Sequence, residues 1–186
     1  MQALRLTPPS HPHRAESLSN ASAGLYLRFK EAENPQDIEI AISLSRQALQ
    51  LRPARHPERF FTLDKLGNQL LARFQHQGKD PDLSEAMSLQ SQALELTPPS
   101  HPAHHICLNN FANTLLIGSE TNPGSVNDID DTVSLFRQAL ERIPIGHPSR
   151  PSFLNNLAIS LQERFEQRGE IQDLDDAITL YTQALE

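Results

Sequence analysis

The first residues in this chain that could do chemistry are its histidines, because imidazole binds metals and moves protons near neutral pH. His-Pro pairs begin at His11, His56, His101 and His147. Packed helices lie about 8–10 Å apart, so histidines on successive elements stand too far apart to share an ion held by bonds of about 2.1 Å. A turn role fits them better. His101, His104 and His105 fall within one helical turn, yet the positive end of a helix repels a cation. The acidic group Asp128, Asp130 and Asp131 suggests calcium, but the glycine and ordered ligand spacing of a calcium loop are absent, and capping of a helix start accounts for it. Cys107 is the single cysteine. It can form no internal disulfide, which fits a reducing compartment, and a lone cysteine in an apolar pattern is a small core residue. No phosphate-binding loop, nucleophile elbow or carboxylate pair on separate elements is visible. The expectation is no catalytic residue, no metal site and no cofactor.

The elements that carry these residues repeat. The His-Pro pairs are spaced by 45, 45 and 46 residues, and Gln-Ala-Leu triplets starting at Gln2, Gln47, Gln92, Gln138 and Gln183 by 45, 45, 46 and 45. Both markers lengthen by one in the third unit, which places the extra residue between His101 and Gln138, within 117–127. A fixed period of this size marks a solenoid, whose units cover their apolar faces only against neighbours. The units read as 11–55, 56–100, 101–146 and a shorter 147–186, with 1–10 as the end of a preceding one. The chain opens and stops inside a repeat, as a piece cut from a longer array would.

Each unit holds two helical patterns. Helix A follows His-Pro, with proline suited to the first helical position. Its stripe in the fourth unit is Phe153, Leu154, Leu157, Ala158, Leu161 and Phe165, and in the second Leu63, Leu66, Gly67, Leu70 and Phe74. Gly78 and Gly169 stand where a left-handed C-terminal cap is usual. Helix B begins at Asp37, Asp82, Asp128 and Asp173, each placed to cap the first turn, and ends before Pro53, Pro98 and Pro144. Its stripe runs Leu83, Ala86, Met87, Leu89, Ala93 and Leu94, matched by Leu174, Ala177, Ile178, Leu180, Ala184 and Leu185. No strand signal is present.

Composition narrows the partners. With 16 basic and 23 acidic residues the formal charge is −7, which offers no electrostatic footprint for a nucleic-acid backbone. No apolar run approaches the roughly 20 residues of a membrane span, and no signal-peptide core opens the chain. A soluble, cytoplasmic protein without nucleic-acid or membrane partners is the expectation.

Leu63, Leu66, Gly67 and Leu70, the small residues Ala86 and Ala93, and Pro98 resemble the tetratricopeptide repeat (TPR) pattern. The Leu-Asn-Asn-Leu-Ala form at residues 154–158 is similar to the long TPRs of kinesin light chains, and more so to the 45-residue arrays of large fungal proteins that carry CHAT or nucleotide-binding signalling domains. The resemblance implies an all-α, TPR-like α-α superhelix of about four helix-turn-helix repeats. It implies a non-catalytic scaffold that binds a peptide or helical segment in a concave groove, or alternatively the sensor arm of a larger CHAT-type peptidase or signalling NTPase. Groove positions carried over from the family are Asp64, Asn68 and Leu71; Asn109, Asn110, Asn113 and Leu116; and Asn155, Asn156, Ile159 and Gln162. Asparagine both donates and accepts, which suits an extended peptide backbone; the other role open to these amides is to bridge adjacent A helices and hold register. The lysines of a carboxylate clamp are missing, with Ser19, Asp64, Asn109 and Asn155 where the first should stand. Exposed terminal repeats would also favour end-to-end self-association.

Overall fold

A computed structural model describes residues 8, 10–121 and 129–185. Among them are eight α-helices and no strand: α1 (Arg14–Ala32), α2 (Pro35–Gln50), α3 (Arg59–Gln77), α4 (Asp80–Glu95), α5 (His104–Thr121), α6 (Ile129–Glu141), α7 (Arg150–Arg168) and α8 (Ile171–Ala184). The odd-numbered helices are the A helices and the even-numbered the B helices of four hairpins. The chain divides into two compact units, Met1–Leu96 and Thr97–Glu186. In the first, α1 packs on α2, α2 on α3 and α3 on α4; in the second, α5 packs on α6, α6 on α7 and α7 on α8, with a smaller contact between α5 and α7.

The His-Pro pairs build the turn ahead of each A helix. Nδ1 of His11, His56, His101 and His147 accepts the backbone N–H two residues on, at 3.1 Å in every copy. The N–H of Arg14, Arg59, His104 and Arg150 then donates to the carbonyl of the same histidine. Proline therefore sits second in a four-residue turn, where its fixed φ is favoured, and not at the first helical position expected from the sequence. The next residue anchors the hairpin backwards. Arg59 donates to the carbonyl oxygens of Leu49 (3.4 Å) and Arg52, His104 Nδ1 bonds the Thr97 carbonyl at 2.5 Å, and Arg150 donates to Leu140 (3.4 Å) and Ile143 (2.8 Å). Donors here satisfy carbonyls left over at the end of the preceding B helix and oppose its negative pole.

Gly78 (φ 65°) and Gly169 (φ 72°) adopt the left-handed cap their positions predict, each N–H donating at 2.7 Å to the carbonyl of Phe74 or Phe165. In the first hairpin Glu33 holds the same conformation at φ 50°, a state glycine enters without steric penalty and glutamate does not.

Asp37, Asp82 and Asp173 are not caps. α2 is capped by Asn34, whose Oδ1 accepts from the Gln36 N–H at 3.0 Å, while Lys79 and Glu170 precede α4 and α8 without a side-chain cap. Asp37, Asp82 and Asp173 lie inside the first turn and are buried. Each receives a two-pronged guanidinium from the A helix of its own hairpin: Arg28 on Asp37 (2.5 and 2.5 Å), Arg73 on Asp82 (2.6 and 2.7 Å), Arg164 on Asp173 (2.7 and 2.5 Å). The fork matches both carboxylate oxygens and fixes the hairpin's angle. It also lowers the affinity of Asp37 and Asp173 for protons, the hydrogen bond from arginine outweighing burial. Asp128 lies outside the described residues, as does most of the stretch expected to hold the extra residue.

The helix-A stripes form the core as read, and on the B helices Ala86, Leu89, Ala93 and Ala177 are buried, but Ile178 and Leu185 of the last stripe are exposed, with no later element packed on them among the described residues. Leu63, Leu66, Leu70, Phe74, Leu154, Leu157, Ala158 and Leu161 are buried, and so is Cys107. Where A and B helices cross, residue sizes compensate. Ser22 Oγ meets Ser45 Oγ at 2.7 Å, Gly67 makes room for Gln90, and Ala112 shares a cluster with the fully buried Phe136.

Candidate functional site

The candidate surface is the part of each A helix that its own hairpin leaves uncovered, and the neighbouring A helix decides how much of it remains open. In the first unit Lys65 Nζ on α3 donates to Ser19 O (3.1 Å) and Oγ (2.9 Å) on α1, and Gln69 donates to Ser22 Oγ at 2.7 Å. In the second unit Asn156 on α7 donates to Asn109 Oδ1 on α5 at 3.1 Å. Lys65 and Asn156 hold the same place in the repeat, as do Ser19 and Asn109. One rung of the array is therefore a polar bond between adjacent A helices, made in the second unit by Asn109 and Asn156.

The expected groove residues separate by burial. Leu71 (5 % exposed) and Leu116 (4 %) are core residues, and Asp64 (8 %) is closed off, its Oδ2 accepting from Asn68 at 3.4 Å. These three do not lie on an open surface. Leu71 and Leu116 follow Gly67 and Ala112 by one helical turn, so they share the buried stripe. Asn68 is half-buried, and its Oδ1 accepts from Gln90 of the same hairpin at 2.9 Å. Asn109, Asn110, Asn113 and Asn156 are half-buried, whereas Asn155, Ile159 and Gln162 are exposed.

Apolar residues that the family positions did not include join them. Phe61 on α3 is 49 % exposed with Lys65 Nζ 4.5 Å from its ring centre, a cation–π contact, and Ile106 on α5 is 45 % exposed. Burial pushes the Lys65 ammonium below the usual lysine range, with Arg52 adding repulsion. Ile117 lies further along α5, half-buried. Exposure at Phe61 was readable in principle, since it stands one turn before the rung residue Lys65, and Ile106 holds the same place in the third repeat. At the far end of the same helices Glu120 is pushed up from its ordinary value by burial and then by the nearby Glu163 carboxylate.

Charge is neutralised elsewhere. Arg73 bridges Asp82 to Glu39 on α2 (2.5 Å), and Arg164 bridges Asp173 to Asp130 on α6 (3.0 Å), with Lys79 and Arg168 joining at 3.1 and 2.7 Å. At Glu39 burial acts to raise the carboxyl's proton affinity, but the bonds from Lys79 and Arg73 prevail and lower it. Asp130 is lowered by Arg168 and Arg164. Among the described residues no three of His, Cys, Asp or Glu gather to hold a metal ion, and no helix is long and apolar enough to cross a membrane. His104 is engaged with the Thr97 carbonyl and His101 with its own turn. His105 packs against Phe153 and His147, and burial, reinforced by His147, lowers its basicity.

No protein-family model and no curated protein matches the sequence. Solved structures do match. A Podosopora anserina protein described as a kinesin light chain with nearly identical TPR-like repeats superposes with a TM-score of 0.62 at 18 % identity, over 96 % of this chain and 81 % of that one. A single-substitution variant of that protein gives 0.66 at 17 % identity, over 99 % and 82 %. The fold is an all-α, TPR-like helical repeat.

Proposed function

We propose that this chain is a non-catalytic interaction scaffold that binds a peptide or helical segment of another protein along its A helices. The observation that supports this reading is the mixed strip in the second unit. α5 offers Ile106, Asn110, Asn113 and Ile117, and α7 offers Asn155, Ile159 and Gln162, on two helices joined by the Asn109–Asn156 bond. Amides, which both donate and accept, suit a peptide backbone, and aliphatic side chains among them suit an apolar anchor. Glu120 and Glu163 at one end favour a partner with a lysine or arginine there, since Glu120 is raised first by burial and then by Glu163, and a cation would relieve that second, repulsive part.

A phage-displayed random peptide library selected on the chain tests this. Asn113→Ala and Ile159→Asp should each weaken an enriched peptide at least about tenfold, about 1.4 kcal/mol, without moving the melting temperature. Failure to enrich any peptide, or binding indifferent to both substitutions, refutes the proposal. A melting temperature that falls sharply with Asn113→Ala would assign that residue to register and not to the partner.

A further inference from the structure

The two units differ at one place where their sequences nearly agree. Two repeats on from Arg46, Leu66, Leu70, Pro81 and Glu85 stand Arg137, Leu157, Leu161, Gln172 and Asp176. In the first unit Arg46 on α2 donates to Glu85 on α4 at 2.6 Å and ties the two B helices together. In the second, Arg137 on α6 and Asp176 on α8 form no such pair, and Asp176 accepts from the Gln172 side-chain amide at 2.9 Å instead. Aspartate is one methylene shorter than glutamate. Gln172, one helical turn before it, holds it by a bond that Pro81 cannot offer to Glu85.

Where the pair is missing there is an open cavity of about 200 Å³, with Arg137 on one wall, Asp176, Thr179 and Leu180 on the other, and Leu157 and Leu161 of α7 between them. Its walls therefore carry one charge of each sign around an apolar middle. Arg137 is exposed and Asp176 half-buried. The nearby Asp173 is held low first by the Arg164 bond and further by Arg137, but both of its oxygens are taken by Arg164. Arg46 and Glu85 keep 48 % and 40 % of their side chains in solvent with later hairpins in the chain, so this place in the repeat stays open inside an array. Cavities that enclose a small molecule run to about 300–1,000 Å³. This one is sized for a single side chain of a larger partner.

We propose that this cavity takes a leucine or isoleucine side chain from another protein, flanked by an acidic residue that meets Arg137 and a basic residue that meets Asp176. The first unit shows the chemistry, because there the same two positions neutralise each other directly. In the second unit the partner supplies both opposite charges, and its aliphatic side chain covers Leu157, Leu161 and Leu180. Alternate residues of an extended segment share one face, so the segment reads acid-x-aliphatic-x-base or the reverse. The charged walls stand on the B helices α6 and α8, so this contact does not depend on the strip of Asn110, Asn113 and Asn155.

Titrating the isotope-labelled chain with acetyl-Glu-Ser-Leu-Ser-Lys-amide and with acetyl-Lys-Ser-Leu-Ser-Glu-amide, read by backbone NMR shifts, tests the proposal. One of the two orders should shift Arg137, Thr179 and Leu180 saturably. It should bind at least about tenfold more tightly than the same peptide with glutamine for both charges or alanine for leucine. Arg137→Gln, at an exposed position, should abolish the advantage over the glutamine peptide. Asp176→Glu with Gln172→Ala rebuilds the pair of the first unit and should close the site while the helical circular dichroism is unchanged. No shift at these residues with either order, equal binding of the glutamine or alanine peptide, or a rebuilt pair that binds as well as the wild type overturns the proposal. So do shifts confined to Asn110, Asn113 and Asn155, which would place the peptide on the A helices, and free 4-methylpentanoate that binds as tightly as the peptide, which would make this a small-molecule site.

Discussion

Gly67→Ala sets two opposing magnitudes against each other at the crossing of α3 and α4. A Cβ built on Gly67 lies 2.7 Å from Gln90 Cγ, 3.1 Å from its Cδ and 3.3 Å from the Ala86 carbonyl oxygen. Gln90 has no exposed surface, and its amide donates to Asn68 at 2.9 Å, so it cannot swing into solvent. Removing a glycine from a helix interior gains about 1 kcal/mol, while forcing a carbon into a filled core costs about 1–3 kcal/mol. The clash should win, with a net loss of about 1 kcal/mol and a melting point lower by about 2–4 °C for a chain of this size. The first hairpin shows the remedy, because there the facing residues are the small pair Ser22 and Ser45. Gly67→Ala combined with Gln90→Ser should therefore be more stable than the two single effects add to, by about 1 kcal/mol. Urea unfolding followed by circular dichroism gives all four values. A Gly67→Ala chain as stable as the wild type, or strict additivity, would show that the crossing is looser than these distances require.

Leu157→Ala should cost about 2–5 kcal/mol, since Leu157 is 4 % exposed among Leu161, Ala158 and Val133; a loss below about 1 kcal/mol by the same unfolding assay would contradict that packing. Glu33→Gly should stabilise the chain by roughly 0.5–1 kcal/mol, because it relieves a left-handed glutamate while keeping the 2.7 Å bond to Phe29; an unchanged or lower midpoint refutes it. Asp37, Glu39, Asp130 and Asp173 all bind protons less readily folded than unfolded. Their contribution is complete above the ordinary carboxylate range of about 4 and is lost as pH falls through their lower folded values. Glu120 has the opposite sign, so its penalty appears as pH rises through its raised value, and Glu120→Gln should not destabilise the chain at neutral pH. Urea midpoints measured against pH check both signs.

What could be read from the sequence was whatever depends on one helix or one turn. The stripe through Leu63, Leu66 and Leu70, the glycine caps at Gly78 and Gly169 and the histidine turns are local, and each is found where its spacing places it. Asp37, Asp82 and Asp173 were misread as caps because a rule for a helix start sees only the neighbouring residues. Their partner lies nine residues earlier on another helix, and the signal was the Arg-Phe pair at 28–29, 73–74 and 164–165, which recurs with the period. The third unit has Gly118 and Ser119 at those positions, so its A helix carries no such arginine there. The buried groove positions Leu71 and Leu116 fail for a related reason. α3 and α7 each pack against their own B helix and against the preceding hairpin, so two faces are covered where an amphipathic reading allows one. Leu71 and Leu116 fall on the first of these faces, and Gln69 and Ser160, polar in sequence, have no exposed surface on the second. Polarity alone therefore cannot separate a residue that binds a partner from one that bonds the next helix. Asn109 and Asn156, 3.1 Å apart, are amides of the second kind, while the exposed Asn155 occupies the same rung position with no later A helix against it among the described residues.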